Sequence, residues 1–553
     1  MERSKLNSLL PSVLRPARYI NNEWNSVHKF NISSATVKTC FCFPDLYEIG
    51  ASNLGIEILY NIVNGMDMAV AERCYCPDID LEQVLRRENI PLFSLESQTP
   101  LSEFHIAGFT LQYELCATNV LTMLDLSKIP VYRKSRNNIF PLIIAGGPVC
   151  SNPAPLQDFF DLFVMGESEN IIQEIVTTVN KHIYSTDKYQ LLLALSQIPG
   201  VFVPEITNNP VRSQQVDIKT SLYPKKFIVP YIETVHKRLN IELSRGCIHN
   251  CRFCQATNLY RPWRERSAEQ VIELINSGLK NTGYDQLSLS SFSASSYTKI
   301  EQVLKEITPL LNKTRTSLSV PSLRCDSKSV QLLEYLIKPK RSNLTFAIES
   351  GSERLRAVIN KQITDEDIIN TLLSVKKSGW KLIKLYFMIG LPSETMEDIN
   401  SIIILLRKLR KLLGSMEINV SVSPFVPKSH TPFQWSKQEN ADSLLNKQKI
   451  LQSNIHGITL KFHNLRLSML EGIFSRGDAG LGKVIHTAWS RGAKFDQWSD
   501  RFNNSIWLES FKEHNIDMEY YLRERNFDEP LPWDNITYSR DKKSFYEEYN
   551  KIW

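Results

Sequence analysis

The chain has 553 residues, of which 42% are hydrophobic and 22% charged, and 65 Lys and Arg against 59 Asp and Glu give a formal net charge of +6. This length predicts two to four domains, and the composition is typical of a soluble globular protein rather than a disordered or fibrous one. The net charge is too small for a chain of this size to indicate nucleic-acid binding by itself.

The start of the chain, its apolar runs and its ten cysteines indicate a cytoplasmic protein. No apolar stretch of a secretory signal follows Met1 to Lys5. The longest apolar run, Ile402 to Leu406, is far shorter than the roughly twenty residues that a membrane span needs, so we expect no membrane association. Free thiols fit the reducing cytoplasm.

Short apolar runs alternate with helical patterns in the first third of the chain, as in a parallel sheet covered by helices. Strands are predicted at 37–43, 106–111, 142–145 and 162–165, and helices at 54–63, 80–87, 117–126 and 170–179. After a lead segment at 1–35, we therefore expect a doubly wound, Rossmann-like α/β domain at 36–185. Ligands of such sheets bind at the carboxyl ends of the strands, where Gly146 and Gly147 permit close approach to the backbone.

A stretch with many Pro and Asn residues, 186–235, is predicted to be a linker. The alternation then resumes over 236–430, with strands predicted at 239–243, 286–289, 317–321, 343–348, 381–389 and 417–422, and helices at 268–278, 297–311, 330–336, 365–378 and 396–413. The remaining residues, 431–553, are rich in aromatic and charged residues and are predicted to form a mostly helical C-terminal domain.

Three cysteines, Cys247, Cys251 and Cys254, follow the strand predicted at 239–243 in a C-x-x-x-C-x-x-C run. Three thiolates suit a four-iron cluster and leave one iron open, which is typical of a catalytic site because structural metal sites close their coordination. Two alternatives remain open. His249 can join the cysteines in a zinc site, although only one residue separates it from Cys251, or the cysteines are buried thiols without a metal.

Ser244-Arg245-Gly246 and Phe253 extend the cysteine run to S-R-G-C-x-x-x-C-x-F-C, which resembles the signature of radical S-adenosylmethionine (SAM) enzymes. Five further strings resemble one uncharacterised family of these proteins that has an N-terminal cobalamin (B12)-binding-like domain: 43–50, 108–114, 144–148, 260–267 and 430–435. The resemblance implies a cobalamin-binding-like domain at 36–185 and a partial (β/α)6 barrel at 236–430. Its members have no settled substrate.

The resemblance also implies the cofactors and their chemistry. The open iron of a [4Fe-4S] cluster chelates SAM, and one electron from a flavodoxin- or ferredoxin-type donor cleaves SAM to a 5′-deoxyadenosyl radical that abstracts hydrogen from a substrate. Phe253 is expected to pack near the adenine. Further SAM contacts are expected at the carboxyl ends of barrel strands, from Ser290, Ser291, Ser319, Arg324 and Glu349. The pair Ser290-Ser291 departs from the glycine-glycine-glutamate turn of many members.

Cobalamin binding depends on the loop after the first strand. Classical base-off cobalamin binding uses the motif D-x-H-x-x-G, which corresponds here to Asp45-Leu46-Tyr47-Glu48-Ile49-Gly50, with Tyr47 in the place of the histidine that ligates cobalt. A neutral phenol is a poor cobalt ligand, so the lower face of the corrin is expected to be open or water-bound. The cobalamin candidates are Tyr47, Gly146 and Gly147, whereas His105 is interpreted as structural.

Three hypotheses follow from these patterns. The first is a cytoplasmic radical SAM enzyme, assisted by cobalamin, that performs methyl transfer or a radical rearrangement on an unidentified small molecule or RNA. The second keeps the cluster but has no cobalamin, and its N-terminal domain binds substrate or a partner. The third is a non-catalytic iron–sulfur or zinc regulatory protein. No pattern in the chain indicates an oligomeric state.

Overall fold

The computed structural model describes residues 8–29, 33, 35–336 and 344–552, and these residues form two compact units. The N-terminal unit draws its described residues from 8–237, 477–517 and 530–538. The barrel unit draws its residues from 238–476, 518–529 and 539–552. Each unit is therefore assembled from separate stretches of the chain. Parts of the predicted lead segment, Asn343 of the fourth barrel strand and the last residue of the predicted C-terminal domain lie outside the described residues.

The core of the N-terminal unit is a six-stranded sheet with the order β2-β1-β3-β4-β5-β6. Its strands are β1 (Val37–Phe43), β2 (Ala69–Tyr75), β3 (Ile106–Thr110), β4 (Leu142–Gly146), β5 (Leu162–Val164) and β6 (Val201–Phe202). The first five are parallel and β6 is antiparallel to β5. The order reverses between β1 and β3, so the predicted doubly wound fold is confirmed and its switch point lies between these two strands.

Helices cover this sheet, and a short parallel pair, Val211–Arg212 with Ile536–Thr537, completes the unit. The helices are Tyr47–Gly50, Leu54–Asn64, Ile79–Arg87, Ala117–Leu126, Glu169–Lys181, Lys188–Ser196, Leu481–Ser490 and Asn504–Glu513. All four helices predicted before residue 185 are present.

Strand β2 was not predicted, because Glu72 and Arg73 interrupt its apolar pattern. Both residues are buried. Arg73 Nη2 donates to Glu23 Oε2 at 2.5 Å and Nε donates to Glu96 Oε1 at 2.6 Å. A charge is tolerated in a core when it is paired and hydrogen-bonded, so the tertiary fold supplies what the local pattern lacks.

The barrel unit contains two parallel sheets, one of three strands with the order β9-β8-β7 and one of four strands that follow chain order. The strands are β7 (Leu239–Glu242), β8 (Gln286–Ser290), β9 (Ser317–Ser319), β10 (Leu344–Glu349), β11 (Leu382–Ile389), β12 (Glu417–Pro424) and β13 (Thr459–Phe462). An isolated parallel bridge between Leu323 and Phe346 connects the sheets. Within the described residues β7 and β13 do not pair, so the barrel is partial, as expected.

All six predicted barrel strands are present, and β13 is an addition whose alternation of exposed and half-buried residues gives little apolar signal. The helices of this unit are Gln255–Leu259, Ala268–Thr282, Ile300–Thr314, Ser327–Leu336, Glu353–Val358, Asp365–Lys377, Met396–Leu413, Ala441–Asn454, Leu465–Ser475, Met518–Leu522 and Lys542–Asn550. Over the described part of the chain, no helix combines the length and the apolar character of a membrane span.

The structure divides the chain differently from the predicted domain boundaries. The predicted linker, 186–235, contains a helix and the sheet strand β6. The predicted C-terminal domain, 431–553, is mostly helical as expected, but its helices are shared between the units. Helix Leu481–Ser490 packs on Ala117–Leu126 of the N-terminal unit, whereas Leu465–Ser475 packs on Met518–Leu522 of the barrel unit. Each helix buries its apolar face in the nearest core, which chain order does not reveal.

Replacing Arg73 tests the buried charge cluster. In Arg73→Met the carboxylates of Glu23 and Glu96 lose their cation inside the core, and we expect the free energy of unfolding to fall by about 3–5 kcal/mol. Urea unfolding provides the measurement. Arg87→Met is the matched control, because the Arg87 side chain is 63% exposed in its pair with Glu88 and is expected to contribute about 0.5 kcal/mol or less. Equal losses in both variants would contradict this account.

Candidate functional site

The cysteine loop begins at Gly246, directly after β7 and the short strand Ser244–Arg245. Gly246 has a φ of +86°, and a Cβ at this position would lie 2.6 Å from the Tyr260 carbonyl oxygen and 2.7 Å from that of Pro262. Only glycine satisfies both the left-handed backbone and the close approach. The glycine of the S-R-G-C pattern is therefore required by the path of the loop.

A half-buried carboxylate, Glu242, fixes the start of the loop. Arg245 binds it with two hydrogen bonds of 3.0 Å, and Arg266 Nη2 donates to the same carboxylate at 3.1 Å. Burial opposes ionisation of Glu242, but the two guanidiniums hold its pKa below the ordinary value. Such bidentate pairing is specific in geometry, so Arg245 acts as a clamp for the loop.

Two further segments of the barrel unit hold the loop from its far side. Arg252 N donates to the Ile359 carbonyl at 3.0 Å, and Asn360 Nδ2 donates to the Asn250 carbonyl at 2.8 Å. Gln255 Nε2 donates to the Ser429 carbonyl at 3.2 Å. The loop is thus fixed by segments that follow β10 and β12 as well as by β7.

The three loop cysteines are free thiols. Cys247 and Cys251 are buried and Cys254 is half-buried. Burial raises the pKa of Cys251 to about 11, although nearby Lys361 and Arg324 draw it downward, and burial also raises the pKa of Cys247. Binding of iron by these thiols would release their protons, and the two cations would offset the negative charge of the thiolates.

His249 faces serines within the same unit. Its Nε2 lies 3.3 Å from Ser293 Oγ and 3.4 Å from Ser296 Oγ, and burial, with Arg324 nearby, lowers its pKa to about 4. Among the residues that the structure describes, no three or more His, Cys, Asp or Glu side chains surround a common metal-ion position. A tetrahedral zinc ion needs four donors about 2.0–2.3 Å from one point, whereas a cubane takes each thiolate on a separate iron. The contacts of His249 Nε2 with Ser293 and Ser296 engage one of its ring nitrogens, which favours a cluster on the three cysteines over a Cys₃His zinc site.

The residues predicted to contact SAM lie along the carboxyl ends of the first four barrel strands or in the cysteine loop. Phe253 is half-buried between Cys251 and Cys254. Ser290 Oγ donates to the Ile241 carbonyl at 3.4 Å, and Ser291 Oγ lies 2.7 Å from Ser244 Oγ. Ser319 ends β9, and Arg324 Nη2 donates to the Gln362 carbonyl at 3.4 Å.

Glu349 ends β10 where the strand register shifts, and it has a φ of +72°, a strained conformation for a non-glycine residue. Its carboxylate accepts a hydrogen bond of 3.2 Å from Lys361 Nζ, and both side chains are buried. Lys361 was not predicted, because nothing in the sequence pairs a lysine with a carboxylate twelve positions earlier. The segment that places Lys361 here also contacts the cysteine loop through Asn360 and Ile359.

The cobalamin candidates lie in the N-terminal unit. The Tyr47 hydroxyl donates to the buried Glu23 carboxylate, so it serves the charge cluster around Arg73. Gly147 has a φ of +104°, and a Cβ there would lie 2.5 Å from the Leu111 carbonyl oxygen. Among the described residues, only Ser168 Oγ lies within 4.0 Å of a Cβ added at Gly146. Of the three candidates, Gly146 is therefore the one that the described residues leave open to a ligand.

Comparison with known families identifies the chain. Residues 55–204 match the model described as "Radical SAM proteins, N-terminal" and residues 241–406 match the "Radical SAM superfamily" model. The chain is 30% identical over 447 residues to Uncharacterized protein MJ0966 of Methanocaldococcus jannaschii, covering 80% of this chain and 89% of the relative. The chain belongs to the radical SAM superfamily. Membership implies an enzyme with a [4Fe-4S] cluster and SAM as cofactors.

Other relatives of this radical SAM protein match less of its length. Putative methylthiotransferase MJ0865 of the same organism is 28% identical over 167 residues, which cover 29% of this chain and 36% of the relative. Two solved structures share the fold. The TsrM methyltransferase from Kitasatospora setae, with cobalamin and a [4Fe-4S] cluster bound, has a TM-score of 0.53 at 14% identity and covers 70% of this chain and 75% of TsrM. The cobalamin-dependent enzyme OxsB has a TM-score of 0.53 at 15% identity and covers 88% of this chain and 72% of OxsB.

Replacing Gly246 tests the path of the cysteine loop. In Gly246→Ala the new Cβ meets two carbonyl oxygens in addition to the unfavourable φ, and we expect the iron content after anaerobic reconstitution to fall at least severalfold. Gly283→Ala is the matched control, because Gly283 also has a positive φ, +66°, but has nothing within 4 Å of an added Cβ. It should cost about 1 kcal/mol in stability and leave the iron content intact. Full iron content in Gly246→Ala would contradict this account.

Proposed function

We propose that this protein cleaves SAM reductively at a cluster held by Cys247, Cys251 and Cys254 and uses the resulting radical on a substrate bound at the carboxyl ends of the barrel strands. The observation that carries the proposal is a loop with three free thiols whose path depends on glycine and on the Glu242 clamp. When bound, the cluster supplies one electron and the open iron on which SAM is held.

The residues of the chain have defined tasks in this proposal. Arg324 and Lys361 supply positive charge beside the cysteines, where a carboxylate of SAM or the charge of the cluster needs it. The hydroxyls of Ser290, Ser291 and Ser319 offer neutral donors and acceptors for the amino group and ribose. Phe253 offers an apolar surface beside the loop for the adenine ring.

Transfer of a methyl or methylthio group is the reaction class that the names of the relatives favour. Named relatives include an Uncharacterized methyltransferase of Pyrococcus horikoshii, 24% identical over 297 residues, and methylthiotransferases. We infer that the substrate, a small molecule or an RNA, receives a methyl or related group or undergoes a radical rearrangement. A cytoplasmic flavodoxin- or ferredoxin-type protein is the proposed electron donor.

Cobalamin is the proposed second cofactor, placed at the carboxyl end of the N-terminal sheet. The Tyr47 hydroxyl is engaged by Glu23, so this position would offer cobalt no ligand. Gly146 leaves room for a ligand beside the backbone after β4. The fit therefore depends on the edge between β1 and β4 and not on a histidine.

The cluster assignment predicts the behaviour of cysteine variants. We expect wild-type protein reconstituted without oxygen to hold about four irons per chain and to release 5′-deoxyadenosine from SAM under reduction. Cys254→Ala should lose both the iron and the release of 5′-deoxyadenosine, because it removes one of the three proposed ligands. Cys325→Ala, the matched control in the same unit, should keep the iron and the release of 5′-deoxyadenosine. Zinc in place of iron, or intact SAM in wild type, would favour the non-catalytic regulatory alternative.

Cobalamin content separates the remaining two hypotheses. We expect protein incubated with hydroxocobalamin and desalted to retain a corrinoid whose visible spectrum is that of a form without histidine ligation. Tyr47→Phe should retain it equally, because the hydroxyl serves Glu23 rather than cobalt. A wild-type protein that cleaves SAM but retains no corrinoid would favour the cobalamin-free enzyme whose N-terminal domain binds substrate or a partner.

A further inference from the structure

A hydrogen bond spans the switch point of the N-terminal sheet. Asp45 follows β1 and Tyr113 follows β3, and the Tyr113 hydroxyl donates to Asp45 Oδ2. The other carboxylate oxygen, Oδ1, accepts from Leu46 N at 2.7 Å and from Trp498 Nε1 at 3.1 Å. Trp498 belongs to a stretch that returns to this unit from the C-terminal part of the chain. Both oxygens of Asp45 are therefore engaged by the protein itself.

The stretch that carries Trp498, residues 494–501, is called the return segment below. Phe495 is 1% exposed, and its backbone N donates to Asn119 Oδ1 at 2.7 Å. Asn119 lies in the helix after β3, and its Nδ2 donates to the Pro44 carbonyl after β1 at 2.9 Å. The return segment therefore lies against the elements that follow both strands at the switch point.

Three side-chain contacts fasten the return segment along its length. Lys494 Nζ lies 2.6 Å from Glu82 Oε2, and Arg501 Nη1 lies 2.8 Å from Asp78 Oδ1. Between them, Asp496 accepts from Thr118 Oγ1 at 2.8 Å. Ion pairs therefore hold the return segment at both ends, and a hydrogen bond holds it between them.

One residue of the return segment fits poorly in this position. Gln497 lies between Asp496 and Trp498, and both its side-chain oxygen and nitrogen are buried without a hydrogen-bond partner among the described residues. Burying an amide without hydrogen-bond partners costs free energy. That cost is present while the return segment is seated in this position, and it would be removed if the segment left that position. Solvation of the Gln497 amide on release would offset part of the free energy of the contacts that are lost.

We propose that the return segment and cobalamin compete for the switch-point crevice, so that corrinoid binding displaces Trp498 from Asp45. The inference rests on the cobalamin part of the proposed function. Ligands of doubly wound sheets bind outside the carboxyl ends at the order reversal. There Trp498 Nε1 donates to Asp45 after β1, and the backbone N of Phe495 donates to Asn119 of the helix after β3. The apparent affinity for cobalamin is then reduced by the fraction of molecules in which the segment is seated.

Replacing Trp498 tests the competition in the full-length protein. Trp498→Phe keeps an aromatic ring for packing but removes the N–H donor to Asp45, and we expect hydroxocobalamin to bind about tenfold more tightly, as followed by its visible spectrum. Trp489→Phe is the matched control, because Trp489 Nε1 makes an equivalent 3.1 Å hydrogen bond to Thr122 Oγ1 on the helix after β3. The Trp489→Phe variant should bind hydroxocobalamin with the affinity of wild type.

Trypsin provides a second measurement, because it cleaves after Lys and Arg and the return segment begins at Lys494 and ends at Arg501. Addition of hydroxocobalamin should increase cleavage at these two residues in wild type. Weaker corrinoid binding in Trp498→Phe, with an unchanged far-UV circular dichroism spectrum, would overturn the proposal and make Trp498 a corrinoid contact. Equal hydroxocobalamin affinity in wild type and Trp498→Phe, together with trypsin cleavage that hydroxocobalamin does not change, would also overturn the proposal.

Failure of the competition is distinguishable from failure of the proposed function. If neither wild type nor Trp498→Phe binds corrinoid, both the competition and the cobalamin assignment are wrong. Iron content and SAM cleavage, measured on the same preparations, then decide the remainder of the proposed function independently.

Discussion

The barrel unit depends on the carboxylate of Glu242, which holds Arg245 and Arg266 at the point where the cysteine loop begins. Gly246 must pass within contact distance of the backbone at Tyr260 and Pro262, so a small displacement of either backbone segment would close this path. The guanidiniums of Arg245 and Arg266 bind one carboxylate and so fix these two segments in relation to each other. The positions of the thiols therefore follow from an ion-pair geometry that the cysteine pattern itself does not contain.

Buried charge recurs wherever a loop or strand must be held precisely. Arg73 neutralises Glu23 and Glu96 in the N-terminal core, and Lys361 neutralises Glu349 beside the cysteine loop. Such pairs add little to stability compared with apolar packing, but removing one partner is costly. The same residues that look like candidate ligands, Tyr47 and Glu349, are thus already engaged in structural pairs.

Two loops, one in each unit, illustrate how far local pattern determines function. The loop after β7 has the spacing of a cluster ligand set, and the structure leaves its thiols free. The loop after β1 in the other unit has the spacing of a cobalamin motif, but Asp45 is bound by Trp498 and Tyr113, and Tyr47 by Glu23. A motif-like spacing therefore corresponds to free thiols in one unit and to side chains that are already hydrogen-bonded in the other.

The sequence by itself determined the alternation of strands and helices and both α/β folds, and it predicted a cluster on the three-cysteine loop, because period, spacing and turn residues are local properties. It did not reveal β2, since Ser97 hydrogen-bonds Glu72 and the distant Glu23 and Glu96 neutralise Arg73. Nor did it reveal the division of the C-terminal helices between the units. Lys361 and the return segment with Trp498 also depended on tertiary structure. Their partners lie 12 and 453 positions away, and no local pattern records which distant groups a fold brings together.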